Sequence, residues 1–560
     1  MRQTKVLLSG MLIAQAIFVA PWFFASNCAG QGAVQLEFAD KESGEPVSAR
    51  IFFTKSAKKL TRPRKVLFAG DQWLAEKRFP LTPPNGDFEF TVQRGPEFSE
   101  IQGGFTIEPR AKDTVRIDVP RSISMRDEKW YSGDHFSALP PSELRRWQFA
   151  DAIDLAVSVK TKPVTKPGSP KTAIESKVKT SKSDDSQSPN LVGLGLGSVS
   201  RLLEWEHGAV LLHGNGPREG NGPREGNGPR EIASNALQDS VDAFQWLDNA
   251  KNRTDLVAEI VRPWSRDLPL LLASDSIRSV QILSSCNRPG GDDRIVLGKE
   301  TGKRILGKVL LANGKDKTPS EIFAPFEQDE SVRFKDARGL GKLSEAIYWQ
   351  MLEAGLRITP TAGSGFDGND THVGYNRVYA YCDTAPNDAS WWQAIAQGHT
   401  FVTNGPLLRA SINGLPPGSV QSSYRSQNIS LDIAVSLAVR DPVDYLDVVF
   451  NGDTIYSAKL EEHYKRGEFP PIEIDKSGWL VIRVVTEHAK GYRFATTAPF
   501  YFVFDGRPRV SKRGVSFFQQ WQKSAEASLA ESPDELTKYE SWIARSNTFW
   551  ESRLRDSNAE

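Results

Sequence analysis

The rhythm of apolar residues changes twice along this chain, and those two changes constrain its architecture more than any single motif does. From Val34 to about Arg121 short segments alternate apolar and polar residues, as in Val34-Gln35-Leu36-Glu37-Phe38, Ala49-Arg50-Ile51-Phe52-Phe53, Phe88-Glu89-Phe90-Thr91-Val92 and Thr114-Val115-Arg116-Ile117-Asp118-Val119. A period of two is that of a strand with one buried face. Pro83, Pro84, Gly86 and Gly95-Pro96 punctuate the segments. The pattern predicts a small antiparallel sandwich over 33–122.

From Trp130 to about Pro406 apolar strand-like runs alternate with helical ones. Ala209–His213, Ser279–Leu283 and Asn376–Ala380 read as strands, and Ser234–Leu247 and Gly341–Ala354 as helices. In the second helix Leu343, Ile347 and Met351 recur every fourth residue, which makes one apolar stripe. Strand–helix alternation over 126–406 predicts an α/β barrel or a related parallel sheet. From Leu407 the period of two returns in Ile429-Leu431-Ile433-Val435, Leu446-Val448-Phe450 and Trp479-Val481-Arg483-Val485, with Asn451-Gly452-Asp453 as a tight turn. A second sandwich is expected over 407–506. Helices are expected over 513–557, where Ser532-Pro533-Asp534-Glu535 is a helix-start signature ahead of an apolar face of Leu536, Tyr539, Trp542, Ile543, Phe549 and Trp550.

A length of 560 residues suggests about three or four domains. The net charge of +1 argues against nucleic acid as a partner. Seven histidines are a thin supply for a multinuclear metal enzyme, and Cys28, Cys286 and Cys382 form neither a CxxC pair nor a disulfide framework. Arg2 and Lys5 precede an apolar run from Val6 to Phe24 and then the small residues Ala25, Ser26, Cys28, Ala29 and Gly30. A positive start, an apolar core and a small-residue exit read as a signal peptide over 1–30, and so as export to the periplasm, cell surface or medium. An uncleaved signal anchor is the one membrane attachment this pattern offers.

Two interruptions break the central region. Residues 159–190 are rich in Lys, Ser, Thr and Pro, a composition that predicts a disordered insertion. Over 214–231 the hexapeptide Gly-Asn-Gly-Pro-Arg-Glu occurs three times, which reads as expansion within a loop because Gly and Pro deny it helix and sheet.

The chemistry-bearing stretch is Trp130-Tyr131-Ser132-Gly133-Asp134-His135-Phe136-Ser137. On one strand, residues two apart share a face, so His135 and Ser137 point the same way. With Arg262–Ser274, Ile358–Gly365, Val373–Tyr379 and Trp391–Pro406, this stretch resembles the metallohydrolases of the polymerase-and-histidinol-phosphatase (PHP) type, particularly the secreted CehA/McbA family. The resemblance covers roughly residues 34 to 510 and is strongest in the last third of the central region.

The resemblance implies a multidomain α/β plus β protein. A central, distorted PHP-type (β/α) barrel would be flanked by N- and C-terminal β-sandwiches and succeeded by a C-terminal helical segment. It further implies divalent metals at the ends of the barrel strands, activating water against a phosphoester or carbamate. The chain departs from the family where metal ligands belong. Ser137 stands in place of a second histidine, Ser284-Ser285-Cys286-Asn287 in place of an Asn-His, and Gly363-Ser364-Gly365-Phe366-Asp367 in place of Gly-Ser-Asp-Ala-His.

The surviving residues support two readings. In one, Asp134, His135, Asp367 and His372 rebuild a mononuclear site for Zn, Mn or Fe, with His213, Asp267, Ser364, Asn376, Arg377 and Asn404 on its rim. In the other the site is degenerate, no metal binds, His135 is a histidine oriented by hydrogen bonds, and the protein serves in binding or scaffolding. A third function class is an extracellular protein that binds a glycan or small molecule through its sandwiches.

Overall fold

The computed structural model describes residues 32–55, 60–61, 63, 66–159, 201–205, 208–214, 244–248, 256–284, 339–365, 371–488, 492–530 and 533–560. The signal segment, nearly all of the insertion and of the hexapeptide repeat, Asp367 and Cys286 lie outside these residues.

The described chain divides into two compact units. The first contains residues up to Glu128 together with Ser142–Ile153 and Gly368–Val373. In it β1 (Ala33–Asp40) pairs antiparallel with β5 (Arg78–Leu81) and parallel with β8 (Lys112–Val119). A second sheet runs β3 (Phe68–Ala69), β4 (Gln72–Ala75), β2 (Ala49–Lys55), β6 (Gly86–Gln93) and β7 (Ile101–Ile107). Alternate residues of both sheets, among them Leu36, Phe38, Ile51, Phe88, Phe90 and Val92, form one core. Gly103 lies on β7 across from Phe90 of β6, and a Cβ there would stand 2.8 Å from that ring.

The second unit holds two large sheets and the C-terminal helices. The larger sheet starts with β10 (Leu155–Ser158), β9 (Trp130–Ser137), β16 (Arg377–Tyr381) and β17 (Thr400–Thr403). It continues through β26 (Phe494–Thr497), β25 (Gly478–Thr486), β22 (Val443–Phe450) and β23 (Asp453–Ala458), with β27 (Phe500–Phe504) and β19 (Val420–Ser423) branching from β25. The other sheet has the order β11 (Arg201–Trp205), β12 (Gly208–Gly214), β13 (Leu256–Ile260), β14 (Ile277–Leu283) and β15 (Thr359–Ala362). Two antiparallel pairs stand apart from both, β18 (Leu407–Ile412) with β21 (Ile433–Ala438) and β20 (Ile429–Leu431) with β24 (Ile472–Ile474). The longest described helices of this unit are α1 (Gly339–Glu353), α2 (Asp388–Gln397), α3 (Lys512–Leu529) and α4 (Pro533–Arg555).

This architecture corrects the expectation of a central (β/α) barrel between separate sandwiches. The described residues are 42% strand and 24% helix, arranged in several sheets, with no closed barrel among them. The pairing explains why. A (β/α) barrel needs every strand parallel to its neighbours, yet β11, β12 and β13 pair antiparallel and only β13, β14 and β15 run parallel. The strand carrying His135 joins a different sheet, where it pairs antiparallel with β16. That sheet runs on through β17 into β26, so strands on either side of residue 406 share one ladder. A shared apolar core, including Phe136, Val210, Ile260, Val280, Trp391 and Val481, packs between the elements. The helical pair α3 and α4 contributes Phe518 and Trp550, whose rings stack 5.0 Å apart. Among the described residues no helix is long and apolar enough to cross a membrane.

Candidate metal centre

The five-stranded sheet turns one polar row toward its packed face. In the antiparallel pair β12–β13, Leu211 is opposite Glu259 and His213 opposite Val257. Opposed residues share a face, so His213 and Glu259 are diagonal neighbours on it. On β14, Ser279 is in register with Glu259, and Gln281, two residues on, shares the Ser279 face.

From the other sheet β9 brings His135 onto this row. Its Nδ1 lies 2.8 Å from Glu259 Oε2, and His213 Nε2 lies 3.7 Å from Glu259 Oε1. Ligand atoms of His135, His213 and Glu259 all fall within 4.8 Å of one another. All three side chains are 0% exposed. Ser279 Oγ donates to Glu259 Oε2 at 3.3 Å and Gln281 Nε2 donates to Oε1 at 2.6 Å. Each carboxylate oxygen therefore meets one imidazole and one neutral donor from β14.

Two indoles close the group. Helix α2 is fixed at its start by a capping box between Asn387 and Ser390 and ends at Gly398, whose φ of 74° is the left-handed conformation that glycine adopts readily. It carries Trp392, which stacks on His213 with centroids 4.2 Å apart, and Trp391, whose ring stands edge-on to His135 at 6.0 Å. Trp391 also occupies the space above Gly133, where a Cβ would lie 2.4 Å from the indole.

Burial works against charge here, and the contacts decide which form each group takes. Burial alone would raise the Glu259 carboxyl, but the charge and hydrogen bond of His135, then those of His213, hold it well below the carboxylate range. Burial lowers His213, with Glu259 pulling the other way. His135 Nε2 is buried without a hydrogen-bond partner among the described residues. Two imidazoles and an ionised carboxylate are a donor set that suits zinc and its first-row neighbours. Metal bonds of about 2.0–2.2 Å place tetrahedral ligand atoms roughly 3.3–3.6 Å apart, so the three side chains need to draw in only slightly.

The residues expected to carry the site are distributed differently. His135 and His213 meet in the centre. Asp134, adjacent to His135 on a strand, points to the opposite face. Its carboxylate accepts backbone N–H groups from Phe136 at 3.2 Å, Ser364 at 2.9 Å and Gly374 at 2.7 Å. Burial raises its pKa, and those donors oppose the rise. His372 belongs to the first unit, where its Nδ1 lies 3.0 Å from the Val373 carbonyl and 3.4 Å from Asp151, itself paired with Arg50. Burial, with Arg50 nearby, lowers the His372 pKa. Asp267 accepts Tyr539 Oη–H at 2.7 Å and Arg266 Nε at 2.8 Å.

Ser364, Asn376, Arg377 and Asn404 serve the backbone. Asn376 donates to Ser284 O and Gly363 O, and Ser364 Oγ accepts Asn376 N. Arg377 donates to Gly374 O, and Asn404 exchanges hydrogen bonds with Tyr492 O and Phe494 N.

Glu259 escaped the sequence reading. Its signal is a lone acidic residue within the apolar run Leu256-Val257-Ala258-Glu259-Ile260, in a strand too apolar to leave a carboxylate in water. Compared with known proteins, the chain matches no family model, no curated protein and no solved structure.

Proposed function

We propose that this is a metal-binding protein whose centre, His135, His213 and Glu259, takes one divalent transition metal, with zinc, manganese and iron as the candidates. The observation that carries the reading is the convergence of three ligand atoms within 4.8 Å, drawn from two different sheets, around a carboxylate kept ionised. Nothing in chain order brings those residues together, and a buried charge without partners costs several kcal/mol. An ion would draw β9, β12 and β13 together by supplying the charge that two imidazoles and one carboxylate are placed to meet. The signal-like residues 1–30 support export, where such a centre stabilises an extracellular or periplasmic fold.

Hydrolysis is the second reading. Two histidines and one glutamate are the ligand set of several hydrolytic zinc sites, and a fourth position stays free for water, whose pKa the metal lowers. The resemblance to PHP-type metallohydrolases points to phosphoesters or carbamates. Against that reading stands the complete burial of all three ligands under Trp391 and Trp392.

Elemental mass spectrometry of chain purified without chelator tests both. About one ion per chain, lost in His213→Ala and in Glu259→Gln, supports the metal centre. Metal far below that level, even after addition and dialysis, sinks it. Metal-dependent release of nitrophenol from a phosphodiester or carbamate, lost in the same variants, selects hydrolysis.

A further inference from the structure

We propose that Gln281 is the positioning residue of this centre, holding Glu259 so that its two oxygens address the two histidines separately. This role rests on the metal reading above and deepens it. Three observations carry it.

The first is placement. Gln281 is 1% exposed, on a strand whose Val280, Ile282 and Leu283 neighbours are 0% exposed. A primary amide in such surroundings destabilises the fold unless its polar atoms are used. The second is how unequally they are used. Gln281 Nε2 donates to Glu259 Oε1 at 2.6 Å, whereas Oε1 of the same amide has no hydrogen-bond partner among the described residues. A glutamine kept only for packing or stability would satisfy both ends or give way to leucine or methionine, because an orphaned buried acceptor is costly. Here one end is left unsatisfied while the other grips the carboxylate.

The third is space. A Cβ on residue 363 would fall 2.7 Å from Gln281 Oε1 and 2.6 Å from Phe136 Cβ, so the amide fits because that residue is glycine.

The consequence for the centre is geometric. With Gln281 on Oε1 and Ser279 on Oε2, rotation of the Glu259 carboxylate about its own axis breaks two hydrogen bonds. One lone-pair direction on each oxygen remains for the side where the imidazoles stand. Neighbours of this kind set ligand orientation, and losing one typically weakens metal binding about 10- to 100-fold.

The test compares full-length wild type with Gln281→Leu and Gln281→Met in zinc titrations against a chromophoric chelator. It is paired with visible spectra of the cobalt-loaded proteins and melting curves of the metal-free proteins. The expected result is zinc affinity about 10- to 100-fold weaker in both variants with a shifted cobalt d–d band, and lower metal-free melting, because Glu259 loses its Gln281 donor. The band separates positioning from packing, because a packing role would lower melting and leave the band in place. Affinity within about twofold of wild type and an unchanged band overturn the proposal even though wild type binds zinc. Wild type that takes up no zinc overturns it together with the metal reading. Gln281→Met keeps the length of the side chain, so it answers the question should the leucine variant not fold.

Discussion

His213 and Trp392 lie face to face, with ring centroids 4.2 Å apart and 15° between their planes. Trp392 is also 4.9 Å from the ring of His135, so one indole covers both imidazoles of the centre. Any change in the charge or ligation of those rings is felt across a stacked π contact. Adding zinc to metal-free protein is therefore expected to change tryptophan emission, saturating at one ion per chain. Trp392→Phe, which keeps a ring on His213, should bind zinc and lose most of the signal. Unchanged emission in protein shown by elemental analysis to hold zinc would contradict this stack.

Glu259 is the single acidic member of the centre, and the two sheets meet at its carboxylate. Glu259→Ala leaves His135 Nδ1, Ser279 and Gln281 facing a hole, and such losses in buried pairs cost about 3–5 kcal/mol. Glu259→Gln keeps the shape and one acceptor, and its NH2 group can be met on the other side by a turned Ser279 hydroxyl and the other tautomer of His135, so its cost should be clearly smaller while metal uptake is lost all the same. Urea unfolding of the two metal-free variants checks the ranking. Coupling to His135→Ala in a double-mutant cycle is expected in the range of about 0.5–3 kcal/mol. A cycle that closes to zero would mean that the 2.8 Å contact between His135 and Glu259 contributes nothing to the fold.

How much of this could be read from the sequence depends on distance along the chain. Strand β9 was legible, because Trp130–Ser137 carries its own pattern. The end of β12 at His213-Gly214 was legible for the same reason. What could not be read was partner choice. The run that became β13 is apolar throughout except for Glu259, and periodicity does not say whether such a run pairs parallel or antiparallel. That choice decided both the fold and the site. Antiparallel pairing of β12 with β13 put His213 diagonal to Glu259, and it also removed the all-parallel ladder a barrel requires. Asp134 misled in the opposite way. An acidic residue beside a histidine reads as a ligand, yet alternation along the strand turns it to the other face, where backbone N–H groups occupy it.

Shifted groups in and around the fold's interior make stability depend on pH. His213 in the fold lies below its ordinary 6.5, so the unfolded chain binds its proton first and stability falls as pH drops below about 6.5. His372 is lowered as well and acts in the same direction. Glu259 lies below its ordinary 4.5, so stability is lost again as pH falls beneath about 4.5. Asp134 runs the other way: raised above 3.8, it contributes stability in acid that is lost as pH rises through that value toward its folded one. The melting temperature of metal-free protein should therefore fall steadily from about pH 7.5 to about pH 5, and less steeply in His213→Gln. A melting temperature that rises over this interval would reverse the assignment.

Gly133 is the one position on β9 where the chain gives up a side chain so that a ring can sit on it. An added methyl group would stand 2.4 Å from Trp391 Cζ2 and 2.8 Å from Cη2, below any normal contact. Val378 Cγ1 at 3.4 Å crowds the same space, so the indole has little room to withdraw. Gly133→Ala is expected to cost about 1–3 kcal/mol, the usual range for overpacking. Because Trp391 stands edge-on to His135, the variant should also weaken zinc binding. Thermal melting and the chelator titration read the two effects separately, and an alanine variant matching wild type in both would show that Trp391 packs elsewhere.

Tyr539 ties the C-terminal helix to the loop after β13. Its hydroxyl donates to Asp267 Oδ2 at 2.7 Å, while Arg266 bonds the other oxygen and lies over the Tyr539 ring. Ser546 and Trp550, farther along α4, both donate to Pro269 O. The apolar face of α4 is thus spent within its own chain, since Tyr539 and Trp550 are each 1% exposed. Tyr539→Phe removes only the hydroxyl and leaves a buried carboxylate one donor short, at a cost of about 1.5–3 kcal/mol. The loss should appear as lower thermal stability with zinc affinity unchanged, because Asp267 is not a ligand of the centre. If α4 instead served a separate partner and only rested here, Tyr539→Phe would melt like wild type, and a chain ending before Ser532 would stay folded. The expected result is the reverse on both counts, with the shortened chain losing the cover over Phe518 and Phe244 that Trp550 and Trp542 provide.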